Sequence, residues 1–160
     1  MERNGQDRVR LAHTGRRRVN ISAKTEYACI ALIELAVHYA SERPLRARDI
    51  ADVHGIPSQF LLQILARLKG AGLVSGTRGA SGGYRLNRPP HEITLCDVVG
   101  IIEGHVDEPN GNSHASTWAR CALDNVWRRI SLAEREILES LTLADLADET
   151  PATSDPMYYI

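Results

Sequence analysis

Residues 57–88 read PSQFLLQILARLKGAGLVSGTRGASGGYRLNR, and two different patterns follow one another along them. Over residues 57–70 apolar side chains recur every three or four positions, which predicts an amphipathic helix. At about 100° per residue, Leu61, Ile64, Leu65 and Leu68 fall on one face, while Gln59, Leu62, Gln63, Ala66 and Gly70 fall opposite. Gly70 and Gly72 then stop the helix, and LVSGT and YRL read as two short strands around the glycine-rich turn GASGG. Residues 53–91 contain five basic residues (Arg67, Lys69, Arg78, Arg85 and Arg88) and no Asp or Glu, so a polyanion is attracted here. The second helix face offers amides for base edges, an apolar Leu62 for a thymine methyl, and small residues that admit a groove wall. That is the chemistry of a DNA reader.

The residues before this stretch make its geometry specific. Residues 48–54 predict a short helix, followed by Gly55, Ile56 and Pro57. Ala51 is small where two helices would cross, Gly55 tolerates positive φ in the turn, and Ile56 and Leu61 pin the second helix to the core, as a helix-turn-helix requires. Pro57 suits the first turn of the second helix, and Ser58 is placed to cap it or to meet a phosphate. The strands form a wing, with Arg78 at its tip positioned for a narrow minor groove. A nucleotide loop is excluded, because no Gly-Lys-Ser/Thr follows the glycines and no helix starts at their end.

Further out, Ser22 caps a predicted helix over residues 23–39 that is apolar around most of its circumference, so it is largely buried. Cys29 inside it reads as a small core residue. Thr94 caps a helix over residues 94–104, in which Cys96 reads as structural. Residues 105–116, HVDEPNGNSHAS, form a polar loop long enough to expect a functional reason. Residues 118–141 predict a long helix with Ile130, Ala133, Ile137 and Leu141 in a stripe and Trp127 beside it, a face that two-fold pairing would bury. Such pairing would set two recognition helices about 34 Å apart. Thr142 caps a last short helix, LADLAD, and an acidic tail follows.

Composition agrees with this picture. The 160 residues are 43% hydrophobic but only 5% aromatic, which favours close-packed helices over a β-sandwich. The net charge of −1 hides a gradient from an Arg-rich start to an acidic end, and residues 1–20 read as a disordered basic arm. Three cysteines with no close pair argue against a disulfide scaffold and for a reducing cytoplasm. Arg16, Arg17 and Arg18 are not read as an export signal, since Glu26 and Glu34 interrupt the apolar stretch that follows. No apolar run is long enough for a membrane span. Six scattered histidines and no nucleophile with a base and an orienting partner argue against an enzyme.

Several separate segments carry a family resemblance: ISAKTEYACIALIELA, IPSQFLLQILARLKGAGLV, VSGTRGASGGYRL, EITLCDVVGIIEG and TLADL. Through them the chain resembles the Rrf-two family of bacterial winged-helix transcriptional regulators over about four-fifths of its length. The expected fold is mainly α: a winged helix-turn-helix domain with a two-stranded wing and a long C-terminal dimerisation helix. The expected divisions are a basic arm (1–20), the winged domain (21–104), a sensor-type loop (105–117), dimerisation helices (118–148) and an acidic tail (149–160). The resemblance implies a homodimer on a double-stranded DNA operator, acting as a repressor. Tyr27, Ser58, Gln59, Gln63, Arg67, Lys69 and Arg78 are the expected DNA contacts: the glutamines on bases, Arg78 in the minor groove, the others on phosphates. The alternative is a protein-interaction winged helix without specific DNA binding.

Relatives that bind an iron–sulfur cluster draw cysteines from the loop over 105–116, and this chain has none there. The resemblance leaves Cys121 at the last cluster position, Asp124 at a spacing some relatives use, and Glu26 where relatives donate a carboxylate across the dimer. With His105 or His114 these make a poor iron–sulfur site. No metal or cofactor is therefore expected, and the signal stays open between a redox thiol at Cys121, a zinc or iron ion, and a protein or metabolite contact.

Overall fold

A computed structural model describes residues 21–104 and 117–149. The expected basic arm, nearly all of the expected loop and the acidic tail lie outside the described residues. Helix α1 (Ala23–Val37) begins at Ser22, whose hydroxyl accepts the Thr25 amide. It ends earlier than the apolar pattern suggested, because the Ser41 hydroxyl and amide both take the His38 carbonyl. The chain then turns through one 3-10 turn, Tyr39–Ser41. Ala28, Ala31, Leu32 and Leu35 are buried, and the two alanines allow close approach of neighbouring helices. Around α1 the rest of the core is assembled from α3, α4, α6 and the second wing strand, whose ranges follow.

Helix α2 (Ala47–His54) and helix α3 (Ser58–Gly70) form the helix-turn-helix. Ala51 is buried at their crossing, and Gly55 adopts φ +64° so that its own amide and that of Ile56 both reach the Ala51 carbonyl. Pro57 is not inside the first turn of α3. It sits at the N-cap, where its carbonyl accepts the Phe60 and Leu61 amides. The left-handed turn at Gly55 sends Ile56 into the core, so the helical path is regained only at Ser58.

The wing consists of β1 (Val74–Thr77) and β2 (Gly83–Leu86), antiparallel with Val74 opposite Leu86 and Gly76 opposite Tyr84. Leu45, ahead of α2, extends this ladder: its amide donates to the Tyr84 carbonyl at 2.9 Å and its carbonyl accepts the Tyr84 amide at 2.7 Å. Two wing glycines are required by this closeness. A Cβ on Gly83 would stand 2.6 Å from the Leu45 carbonyl oxygen, and one on Gly82 would stand 2.3 Å from that of Thr77.

Helix α4 (Leu95–Glu103) starts in a capping box between Thr94 and Asp97, and helix α6 (Leu143–Asp148) in a second one between Thr142 and Asp145. Between them runs helix α5 (Trp118–Ser140), capped by Thr117, with no buried residue along its 23 positions. Helix α6, grouped with α5 in the expected division, packs on the winged domain of its own chain. Leu143 is fully buried, its amide donates to the Ile93 carbonyl, and the Leu95 amide donates to the Leu141 carbonyl, so α6 is returned to the winged domain against α1. Among the described residues, no helix is long and apolar enough to cross a membrane.

Candidate nucleic-acid interface

Helix α3 is divided as its period predicts. Leu61, Ile64, Leu65 and Leu68 are completely buried, whereas Gln59, Leu62, Gln63, Ala66 and Gly70 are exposed. Burial of the first set fixes the rotation of the helix, so both amides and the apolar Leu62 point away from the core. No side chain caps the start of α3, and Ser58 is exposed there. The Ser58 and Gln59 amides and the positive end of the helix dipole are thus open to an anion.

The other expected contacts are distributed around this helix. Tyr27, half-buried on α1, meets Phe60 of α3 edge-to-face with ring centroids 5.8 Å apart, so it braces the reading helix from behind its first turn. Lys69 reaches the wing: a Cβ built on Gly76 would lie 3.7 Å from its Nζ. Arg78 is exposed where the wing turn begins. Arg67 differs from its expected use, since its Nε donates to the Ile101 carbonyl at 2.8 Å and ties α3 to the last turns of α4.

Three polar links were not foreseen. Arg46, immediately before α2, donates to the Ala80 carbonyl and holds the wing turn. Glu34 bridges two histidines: its Oε2 lies 3.1 Å from His54 Nε2 at the end of α2, and its Oε1 lies 3.5 Å from His38 Nδ1. Glu103 at the end of α4 accepts from the hydroxyls of Ser22 and Thr25. These donors hold its carboxyl below the usual carboxylate range despite its exposure. Apart from the Glu34–His38 pair, one helical turn apart, these links connect residues at least 20 positions apart, and nothing local in the sequence announces them.

The candidate metal residues are not gathered. Glu26 is exposed in the first turn of α1, while Cys121 and Asp124 are exposed near the start of α5. Among the described residues, no three His, Cys, Asp or Glu side chains are grouped to hold a metal. The Cys29 thiol is pushed up to about 11 by burial and then by the nearby Glu26 carboxylate, which disfavours its thiolate. His105 and His114 lie outside the described residues.

Residues 21–149 match the family described as Rrf2, iron-dependent transcriptional regulator. The chain belongs to the Rrf2 family. This Rrf2 protein is 34% identical over 143 residues to the HTH-type transcriptional regulator CymR of Bacillus subtilis, an alignment covering 89% of this chain and 100% of that one. To the HTH-type transcriptional regulator IscR of Vibrio cholerae it is 31% identical over 130 residues, covering 80% and 75%. Among solved structures it is similar to CymR, described as the global cysteine regulator of B. subtilis, with a TM-score of 0.73 and 35% identity over 83% of this chain and 99% of that one. It is also similar to IscR of T. potens, with a TM-score of 0.68 and 34% identity over 80% and 85%. The family and these relatives are transcriptional regulators, not enzymes.

The iron in the family's description meets a different donor set here. Of three cysteines in the whole chain, Cys29 is half-buried with a raised thiol, Cys96 lies half-buried on α4, and only Cys121 is exposed. An iron–sulfur cluster needs several thiolates with at most partial imidazole replacement. The residues present do not fit one.

Proposed function

We propose that this Rrf2 protein is a homodimeric, sequence-specific DNA-binding regulator that acts as a repressor in the cytoplasm and responds to a redox, metal or metabolic signal. The observation that supports this most directly is the division of α3: a wholly buried leucine and isoleucine face turns two glutamines and Leu62 outward, within a stretch free of acidic residues. In this reading Gln59 and Gln63 take base edges, Leu62 touches a thymine methyl, and the open first turn with Ser58 takes a phosphate. Lys69 and Tyr27 make backbone contacts, Arg78 enters the minor groove, and Arg67 keeps α4 attached while presenting its remaining nitrogens to the backbone.

Pairing is assigned to α5. Leu123, Val126, Trp127, Ile130 and Ile137 are all about half exposed, and their spacing places them along one side of the helix. A lone chain would leave that side in water, and a two-fold partner would cover it with the same side chains. Gel retardation of genomic fragments at low and moderate salt tests the reading. Retention of a subset of fragments, weakening steeply with salt, is expected. No retardation at low salt would reject DNA binding in favour of a protein-interaction module.

A further inference from the structure

A groove of about 370 Å³ opens beside the root of the wing. Its walls come from the end of α1, the turn that follows and strand β2: Leu35, Leu45 and Leu86 give it an apolar floor, Tyr39 and Tyr84 aromatic walls, and Arg43 and Arg85 its cations. Neither guanidinium has a hydrogen-bond or ion-pair partner among the described residues, and the single lining acid is Glu42. Glu42 is also the one described residue other than glycine with a positive φ, +54°. The volume is that of small-molecule sites, and the lining combines its apolar side chains with a larger share of polar surface.

We infer that this groove binds a small organic carboxylate with an apolar or aromatic body, and that the ligand acts as an effector of DNA binding. The anion would meet the two arginine forks, which match carboxylate geometry, and the body would lie against Tyr39, Tyr84 and the leucines. The effector role rests on the DNA-binding reading above, and two connections support it. Leu45 and Tyr84 line the groove and also make the paired hydrogen bonds that anchor the wing. His38 lines it as well, and through Glu34 it is linked to His54, the residue before the Gly55 turn of the helix-turn-helix. A ligand that favours one arrangement of these groups shifts the wing and the turn together.

Isotope-labelled full-length protein, without DNA, is titrated with benzoate and octanoate, using benzyl alcohol as a neutral counterpart and inorganic phosphate as a bare anion. Saturable amide shifts at Leu45, Tyr84, Arg85 and Asn87 with a carboxylate, absent with benzyl alcohol and phosphate, are expected. The doubly substituted R43Q/R85Q protein should bind at least tenfold more weakly, a loss of about 1.4 kcal/mol. The inference is overturned if neither carboxylate gives saturable shifts up to the order of 10 mM, if the neutral or bare-anion probe does equally well, or if the substitutions leave affinity unchanged. A second arm repeats the gel retardation with and without the bound carboxylate. Unchanged retardation overturns the effector role, whereas failure of DNA binding altogether is seen in the protein alone and leaves the titration result standing.

Discussion

At Gln63 the proposed chemistry is narrow enough to isolate. Its side chain lies on the exposed face of α3, so Gln63→Ala removes no core contact and should cost about 1–3 kcal/mol on the operator while relaxing preference at one base pair. Fluorescence anisotropy against operator and unrelated duplexes checks this, and equal losses on both would remove Gln63 from base reading. Lys69→Ala should weaken both duplexes alike and reduce the salt slope by about 1. Glu103 gives a test in stability. Its carboxyl is lowered from the ordinary 4.5 chiefly by the Ser22 and Thr25 hydroxyls. Its contribution is therefore present above that ordinary value and lost as pH falls through the lower folded value. Urea midpoints should fall less on acidification in Glu103→Gln than in the natural chain, and parallel pH profiles would count against the link. The outward residues of α3 were legible from the period of their buried neighbours. The partners of Arg67, Glu34 and Glu103 were not, because each depends on a tertiary approach that a one-dimensional pattern does not contain.

The elements were more readable than their contacts, for reasons that can be assigned. Ser22, Thr94 and Thr142 each stand just before an apolar period, and each caps a helix in the structure. The wing was legible because five residues in a row from Gly79 are small, although the sequence did not show that Gly83 is needed for Leu45 rather than for the turn. That distinction is testable: Gly83→Ala places a methyl against the Leu45 backbone and should destabilise the domain by about 1–3 kcal/mol, read from the urea midpoint. Gly79→Ala has open space around its Cβ position and strains only the local backbone, so the larger effect should belong to Gly83. An equal or smaller effect at Gly83 would mean that the Leu45 strand is not held closely. The end of α1 was misread by about two residues because Tyr39 continues the apolar pattern, while the Ser41 hydroxyl bond that ends the helix is invisible to it.

For the molecule as a whole, the decisive surface is α5, whose apolar side is half exposed at Ile130 (49%) and Ile137 (61%). Ile130→Asp should leave the winged domain folded, since the side chain packs on nothing buried, yet it should shift sedimentation from twice the 17.7 kDa chain mass toward the single chain. A variant that sediments as the natural protein does would remove α5 from the dimer interface. The long helix was legible from periodicity, although Leu141 of the expected stripe falls at its C-cap, and LADLAD carries no signal of which surface its one buried leucine will meet. That destination has a consequence for synthesis. The helix made first, α1, packs against nearly the last helix made, α6, through Leu143. During translation the DNA-reading segments therefore leave the ribosome well before the residue that covers α1, and chain growth delivers residues 117–141 before the domain can close. A nascent chain stopped between Arg78 and Leu143 holds every group proposed to touch DNA but keeps a bare apolar face on α1.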